Sequence, residues 1–449
     1  MRLSSGPIAS RLATLGVTAA ALLTAPLDAQ VSVASANAAD APLFYGDVLP
    51  ILQASCQSCH RPGEVAPMSL LTYSDARAWA REIRRMVASR RMPPWTADNS
   101  VGVRFHNDRA LSEQQIATIV DWVDAGAPEG DRRLAPPPVE WVDGWQSEPD
   151  LILEIPAFEV PPDGTVEYTY YILPYTFEQD RWITSSEMRP TNRSVTHHLL
   201  AHVRPPGSSY FKDYPVGEFF VPESGDRAPV DGESAFQWRQ AIGGYAPGLN
   251  PGEADYPSDQ AVLVEAGSQV VFELHYTTNG EAGVDLPKLG LTFLDGEPTT
   301  RRLQSAVINR GFEIPPGADD YRVDASVTMA QDTRLLSLTP HMHLRGKAWE
   351  FRAVFPDGRT QVLLSTPRYD FNWQLTHFLA EPLDLPAGTV IEGTAYYDNS
   401  VNNPWNPDPD SAVRWGDQSW EEMMVGFFDI EIAPDANAES MFGRPMAEQ

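Results

Sequence analysis

The residue pattern of positions 150–433 constrains the fold more than any other feature of the sequence. From Asp150 onward, short runs of alternating, β-branched and aromatic residues, such as Gln269–Tyr276, are separated by turn residues. Such runs are typical of antiparallel β-sandwiches, and one sandwich usually takes roughly 100 residues. We therefore predict two sandwiches and a short tail, over residues 150–312, 313–433 and 434–449.

The residues before this region carry helical signals. Ser74 can cap an amphipathic helix that runs to Arg90, and Ser112 with Gln115 can form a capping box for a further helix. A proline-rich stretch then precedes the first strand. We predict a multidomain chain that begins with a small all-α domain and a linker, over residues 40–132 and 133–149.

The first 39 residues have the composition of a signal peptide. Arg2 and Arg11 supply positive charge, Leu12–Leu23 is apolar, and small residues near Ala36 offer cleavage sites. The apolar run is shorter than the ~20 residues that cross a bilayer, although an uncleaved anchor is the alternative. We expect a periplasmic or secreted protein with no integral membrane segment. A net charge of −28 also argues against a nucleic-acid partner, because phosphates would repel the chain.

Both cysteines of the chain lie in the motif Cys56-Gln57-Ser58-Cys59-His60. In a c-type site with this spacing, the two thiols attach to the haem and the adjacent imidazole ligates the iron. A thioredoxin-like redox pair would need a βαβ context, and a zinc site would need more ligands than two cysteines. We predict one covalent haem c, held by Cys56, Cys59 and His60, so that the all-α domain is cytochrome c-like.

We favour Met92 as the second axial ligand of the haem iron. It lies in Arg91-Met92-Pro93-Pro94-Trp95, where the prolines stiffen the loop. Met68 and His106 are the alternatives.

Six of the nine histidines fall into three groups beyond the linker. The groups are His197, His198 and His202; His275; and His341 with His343. On a strand, residues two apart point to one side, so His341 and His343 aim two imidazoles at one point. Imidazole and thioether ligands without a thiolate suit copper that cycles between Cu(I) and Cu(II). Blue copper is excluded, because both cysteines belong to the haem motif, and we expect structural roles for His202 and His377.

Four segments carry these groups in an order that one family shows. The segments are Thr196-His197-His198-Leu199-Leu200, Leu274-His275-Tyr276, Pro340-His341-Met342-His343-Leu344-Arg345-Gly346-Lys347 and Glu421-Glu422-Met423. Through them the β region resembles the copper type II, ascorbate-dependent monooxygenases, the family of the peptidylglycine α-hydroxylating and dopamine β-monooxygenases. The resemblance implies two jelly-roll-like domains that each hold one copper and face each other across a cleft.

The resemblance also implies roles for the ligands. The copper of His197, His198 and His275 would store and deliver an electron. The copper of the catalytic residues His341, His343 and Met423 would react with O2 and a substrate C–H bond. Met423 is preferred to Met424 on the resemblance alone. Thr339, Val425 and Phe427 stand where the peptide-amidating enzyme has residues of other types, so a peptidylglycine substrate is disfavoured.

We therefore expect an exported copper-dependent monooxygenase that inserts one oxygen atom of O2 into a small-molecule substrate. Electrons would enter through the haem, from ascorbate or another cytochrome as the external donor. The arginines of the helix before Met92 would form the docking face within the molecule; they are Arg77, Arg81, Arg84 and Arg85. The alternative is a non-enzymatic periplasmic electron-transfer or copper-binding protein, although such a carrier needs only one metal site.

Overall fold

The computed structural model describes residues 41–142, 144–223, 239–247, 257 and 259–443. The expected signal peptide, residues 1–39, lies outside the described residues, as does the end of the predicted tail from residue 444. Within the described part of the chain, no helix is both long enough and apolar enough to span a bilayer.

Within residues 41–142, four short α-helices precede the β region. They are α1 (Leu49–Ser55), α2 (Tyr73–Ala78), α3 (Ala80–Ala88) and α4 (Glu113–Asp124). Shorter helical turns cover Phe44–Val48, Arg132–Leu134 and Ala438–Met441. The capping box of Ser112 and Gln115 is present at the start of α4. Thr72 rather than Ser74 caps α2, and the backbone leaves the helical conformation at Trp79, so the single helix expected up to Arg90 is two short ones.

The prediction of an all-α, cytochrome c-like domain was wrong. Strands hold 38% of the residues and helices only 12%, and the longest helix has 12 residues. Part of the stretch expected to be helical belongs to the β structure, since Trp95 and Phe105 pack in the core of the second sandwich. The physical reason is that residues 92–108 hydrogen-bond to strands: the Val103 N–H donates to the Leu363 carbonyl at 3.0 Å.

In its described residues the β region agrees with a sandwich fold, and each half has its own core. The strands of the first half are β1 (Leu151–Glu154), β2 (Phe158–Val160), β3 (Thr169–Thr176), β4 (Arg181–Arg189), β5 (Thr196–Arg204), β6 (Phe219–Phe220), β7 (Gln240–Tyr245), β8 (Gln260–Val264), β9 (Gln269–Tyr276), β10 (Gly283–Asp285) and β11 (Lys288–Phe293). A five-stranded sheet in the order β6-β3-β9-β5-β7 packs against strands β1, β11, β4 and β8. Leu199 and Phe272 from the first sheet and Leu289 from the second meet in this core.

The second half repeats this arrangement with its own core. Its strands are β12 (Thr300–Asn309), β13 (Glu313–Ile314), β14 (Tyr321–Thr328), β15 (Thr333–His341), β16 (Gly346–Val354), β17 (Thr360–Thr366), β18 (His377–Leu385), β19 (Val390–Tyr397), β20 (Val413–Arg414) and β21 (Met424–Ile432). The four-stranded sheet β14-β19-β16-β17 packs against strands β12, β21, β15 and β18. Along β19, buried residues alternate with partly exposed ones, as a strand with one core-facing side requires.

A short parallel pairing joins the two halves. Strand β8 pairs with β12 at Thr300 and Arg301, which links both halves into one eight-stranded sheet. The rest of β12, from Arg301 to Asn309, pairs with β21. In the structure β12 therefore lies in the sheet of the second sandwich, ahead of the predicted junction at residue 312.

His377 should make stability depend on acid pH. Its ring is buried against Trp95 and Phe105, with ring centroids 4.9 and 5.3 Å away. Burial lowers the pKa of His377 to about 4, and nearby Arg109 lowers it further, while a hydrogen bond to the Leu338 carbonyl opposes the shift. Below about pH 6.5 the histidine binds a proton in the unfolded chain but stays neutral in the folded chain. The free energy of unfolding therefore falls as the pH drops towards 4.

Between pH 7 and pH 4 the free energy of unfolding should fall by about 3 kcal/mol less in His377→Leu than in the wild type. Urea titrations at both pH values measure it. His106→Leu, which removes an exposed imidazole from the neighbouring stretch that pairs with β18, is the matched control. Equal pH dependence in the two variants would contradict the assignment.

Candidate functional site

The first histidine set lies on the outer face of the five-stranded sheet. Thr196 pairs with Tyr276 and His198 with His275, so His197 is an extra residue in β5. An extra residue of this kind forms a β-bulge, which re-aims side chains that would otherwise alternate. The bulge explains how two consecutive histidines can point to one place, while Leu199 and Leu274 still face the core.

His197, His198 and His275 form a site that could hold a metal ion. One ring nitrogen from each of the three lies within 4.8 Å of the others. The Nδ1 atom of His198 is 3.2 Å from that of His197 and 3.4 Å from that of His275. All three side chains are buried, and Nε2 of His197 has no hydrogen-bond partner among the described residues. Three imidazole nitrogens this close together form an arrangement that could bind a cation.

Two imidazoles of this set, those of His197 and His275, are held uncharged at neutral pH. Burial lowers the pKa of His197 to about 3, and the neighbouring His198 and His341 lower it further. Burial also takes the pKa of His275 well below its ordinary value. Because metal ions bind the neutral ring, these two residues are in their binding form at neutral pH without having to lose protons.

Polar and aromatic side chains contact the histidines of the first set and support their orientation. The ring of Tyr168 stacks on His275 with centroids 4.2 Å apart. Glu273 lies 3.9 Å from Nε2 of His198 and 3.2 Å from Nε2 of His202, so His202 belongs to the supporting network. Carboxylates placed in this way orient metal-binding imidazoles.

Asp285 ties together the two strands that carry this set. Its fully buried carboxylate accepts hydrogen bonds from the Thr191 and Asn192 N–H groups, at 2.6 and 2.9 Å, in the turn before β5. It also accepts one from the Tyr276 hydroxyl at 2.9 Å, at the end of β9. The turn before His197 and the residue after His275 are therefore held by one side chain.

The second set lies at the end of β15. Met342 is fully buried in the core of the second sandwich, so His341 and His343 on either side of it point the opposite way. Their ring centroids are 5.3 Å apart and the rings are perpendicular. The structure thus brings together the two imidazoles of the predicted His-x-His pair.

Hydrogen bonds select the ring atoms that face the second site. Nδ1 of His341 lies 2.7 Å from the Gln374 side-chain oxygen, and Nδ1 of His343 lies 3.3 Å from the Glu421 carbonyl. Both contacts leave Nε2 as the atom available to a metal. Burial lowers the pKa of His341 to about 4, against the effect of the Gln374 hydrogen bond, and takes that of His343 well below its ordinary value.

Burial distinguishes Met424 from Met423. Val425 lies directly opposite His341 in the ladder between β15 and β21. Met424, the first residue of β21, is fully buried in the core of the second sandwich, whereas Met423 precedes the strand and is partly buried. Met424 therefore belongs to the core, and Met423 stays the predicted ligand.

A buried carboxylate holds the backbone of the second set. Glu422 accepts hydrogen bonds from the His343 N–H at 2.9 Å and the Arg345 N–H at 2.6 Å. Burial raises the pKa of Glu422 to about 8, although these hydrogen bonds and the Arg345 charge oppose the shift. Gly346 is required at the next turn, since a Cβ there would lie 2.7 Å from Met342 and 2.8 Å from Tyr369.

Phe371 contacts both histidine sets. Its ring stacks on His197 with centroids 5.0 Å apart, and its centroid is 6.0 Å from that of His343. It belongs to the loop between β17 and β18, which also carries Gln374 beside His341. The two sets therefore face each other across one aromatic ring, and protonation of His341 would lower the pKa of His197.

The haem motif follows directly after α1. The His60 N–H donates to the Cys56 carbonyl at 2.9 Å, and both cysteines are free thiols. Nδ1 of His60 lies 3.3 Å from the Met68 carbonyl, which leaves Nε2 for a ligand. Burial raises the pKa of the Cys56 thiol to about 12, with a further contribution from Cys59.

The candidate sixth ligands lie in different places. Met92 is partly buried in the loop after α3, and its N–H donates to the Met86 carbonyl at 3.3 Å. His106 is engaged with the second sandwich, where its ring stacks on Phe378. None of the hydrogen bonds and ring contacts described for these residues brings Met92 to His60, and Met92 stays a prediction.

Sequence reasoning missed the residues that shape the two sets. Strand alternation gives no sign of the bulge at His197, and the sequence around Phe371 and Gln374 matches no motif. Asp285 could have been suspected only as an acidic residue beside an apolar strand, and Glu422 stood in the Glu421-Glu422-Met423 segment without a predicted role of its own. Each depends on contacts between segments that are far apart in the chain.

No family model matches this chain. No curated protein matches it either. Among solved structures, it is similar to VP2 of infectious bursal disease virus in a subviral particle, at 9% identity over 67% of this chain and 76% of that one, with a TM-score of 0.19. A structure of the Gx strain of the same virus matches at 8% identity over 67% and 77% of the two chains, also with a TM-score of 0.19. Similarity at this level supports no conclusion about activity.

Proposed function

We propose that this protein is an exported two-copper monooxygenase that hydroxylates a C–H bond of a small substrate with O2 and receives its electrons through a covalent haem c. The observation that carries the proposal is that two buried sets of imidazoles lie on either side of Phe371. A protein that only stores or carries copper needs one such set, whereas two facing sets suit a reaction that uses two electrons.

The donor atoms of both sets fit copper. The first set offers three Nδ1 atoms and the second offers two Nε2 atoms, to which we add the predicted Met423 thioether. Imidazole and thioether donors stabilise both Cu(I) and Cu(II). Copper bound there would supply the one-electron chemistry that O2 activation requires.

The surrounding residues would exclude water and position a substrate. The Phe427 ring lies 6.1 Å from that of His341, and Thr339 beside it hydrogen-bonds to Thr376 at 2.9 Å. Thr339 and Phe427 are uncharged, so neither offers a positive charge that could bind a substrate carboxylate. We therefore favour an apolar or neutral substrate over a peptide with a free carboxyl end.

His60, Cys56 and Cys59 would hold the haem. Free thiols at the spacing of a c-type site and an imidazole with Nε2 available are the groups that such attachment uses. We propose Met92 as the opposite ligand, because the prolines after it restrict the loop.

Full reconstitution should load two copper ions per chain. We expect His341→Ala and His197→Ala each to retain one ion and the double variant to retain none, because the two sets use separate side chains. His202→Ala should keep both, since His202 contacts Glu273 rather than the converging Nδ1 atoms. Elemental analysis measures the stoichiometry. A single ion per wild-type chain, or preferential loading with zinc, would count against two copper sites.

The two adjacent methionines provide a matched control for the second site. Met423→Leu should remove the copper–sulfur signal from the X-ray absorption spectrum of the Cu(I) protein. Met424→Leu, a volume-conserving change in the core, should leave that signal unchanged and cost less than about 1.5 kcal/mol of stability. The reverse result would assign the ligand to Met424.

The haem should be covalent and six-coordinate. Cys56→Ala with Cys59→Ala should abolish haem that survives denaturing electrophoresis. Met92→Ala should remove the weak long-wavelength absorption band of iron–methionine ligation, whereas Met68→Ala should keep it. Persistence of the band in Met92→Ala would show that another residue is the ligand.

Isotopically labelled O2 separates the enzyme from the alternative of a copper-binding or electron-transfer protein. With copper loaded and the haem reduced, a panel of small neutral substrates should yield a product that carries one labelled oxygen atom. His341→Ala should abolish incorporation. If the wild-type protein instead passes electrons to an external acceptor and labels no product from a broad panel, the carrier function is favoured.

A further inference from the structure

An ion-pair cluster joins the haem motif to the first histidine set. Glu64 lies four residues after His60, and its carboxylate accepts a hydrogen bond from the guanidinium of Arg193. The other carboxylate oxygen pairs with Arg61 at 2.6 Å. The exposed fraction of the side chain is only 17% for Arg193, 16% for Glu64 and 20% for Arg61. Ion pairs shielded from water in this way are screened much less by salt than pairs on an open surface.

Aromatic rings extend this contact on both sides. The Arg193 guanidinium lies 5.8 Å from the centroid of the buried Tyr245 ring, and the Arg61 guanidinium lies 4.6 Å from that of Trp141. Tyr245 is the last residue of β7, so the contact of Arg193 reaches that strand.

On the side of the first sandwich, Tyr245 and Arg193 are connected to the strand that carries the proposed copper ligands. Tyr245 pairs with Leu199, the residue after His198. Arg193 lies in the turn before β5, whose N–H groups Asp285 holds. The contact thus ends at the strand that carries His197 and His198. The second sandwich meets another stretch, where Phe105 pairs with Leu379 of β18.

Three of the four arginines expected to form the docking face have other partners. Arg84 pairs with Asp124 at 2.7 Å, and Arg85 pairs with Glu82 at 2.5 Å. Arg77 donates to the Gly126 carbonyl at 2.8 Å. These contacts stay within the helical segment and do not reach a histidine set.

We propose that Glu64 and Arg193 are positioning residues that seat the haem-bearing segment against the first histidine set, so that electrons enter the copper sites at His197, His198 and His275. The inference rests on the proposed function. In each transfer one electron leaves the ferrous haem, which becomes ferric, and reduces one Cu(II) of the first set to Cu(I). No bond breaks and no proton moves. An external one-electron donor, ascorbate or another cytochrome, then reduces the haem again.

The contact itself can be tested in the full chain without copper. Arg193→Gln and Glu64→Gln should each raise amide hydrogen exchange in residues 56–70 roughly tenfold, which corresponds to about 1.4 kcal/mol of lost local stability. The double variant should exceed Glu64→Gln by little, because Glu64→Gln already removes the pair with Arg193 as well as the pair with Arg61. Arg84→Gln, which breaks a pair confined to the helical segment, is the matched control and should leave this peptide unchanged.

A spectroscopic measurement tests the electron route. The ferric haem should shorten the electron-spin relaxation of Cu(II) more strongly when copper fills only the first set, in His341→Ala, than when it fills only the second, in His197→Ala. Arg193→Gln should weaken the effect at the first set, and Arg84→Gln should not. Stronger relaxation at the second set, or exchange in residues 56–70 that Arg193→Gln leaves unchanged, would overturn the positioning role. Failure to bind copper or haem would instead overturn the proposed function.

Discussion

Burial of uncharged imidazoles is the constraint on which both candidate metal sites depend. His197 and His343 are buried among other histidines, where a proton on either of these two rings would be costly. Their pKa values lie far below the ordinary value, so the rings keep their lone pairs free at neutral pH. Such an environment is unfavourable for an empty cluster and favourable for a bound cation, which makes metal binding the simplest reason for its existence.

Different structural features bring the imidazoles together in the two sets. In the first, the bulge at His197 places two consecutive histidines together, and Asp285 holds the strand ends that carry them. In the second, Met342 anchors the backbone in the core, and Glu422 accepts the N–H groups beside it. These features lie on sheets of different sandwiches, so the halves must pack as they do for the sites to face each other.

The sequence predicted the β-sandwich region and the histidines that the structure brings together, because strand periodicity and the His-x-His spacing are local signals. It did not predict that Trp95 and Phe105 pack into the second sandwich, which is why an all-α domain was expected wrongly. The roles of Phe371 and Arg193 could not be predicted either. Both depend on contacts across more than one hundred positions of the chain, which no periodicity encodes.

The central claim is that the two sets are copper sites. The most direct test is anomalous X-ray diffraction from crystals of the copper-loaded chain, with data collected on both sides of the copper absorption edge. The account predicts two anomalous peaks, one among Nδ1 of His197, His198 and His275, and one beside Nε2 of His341 and His343 and the sulfur of Met423. A single peak, or peaks away from these atoms, would contradict it.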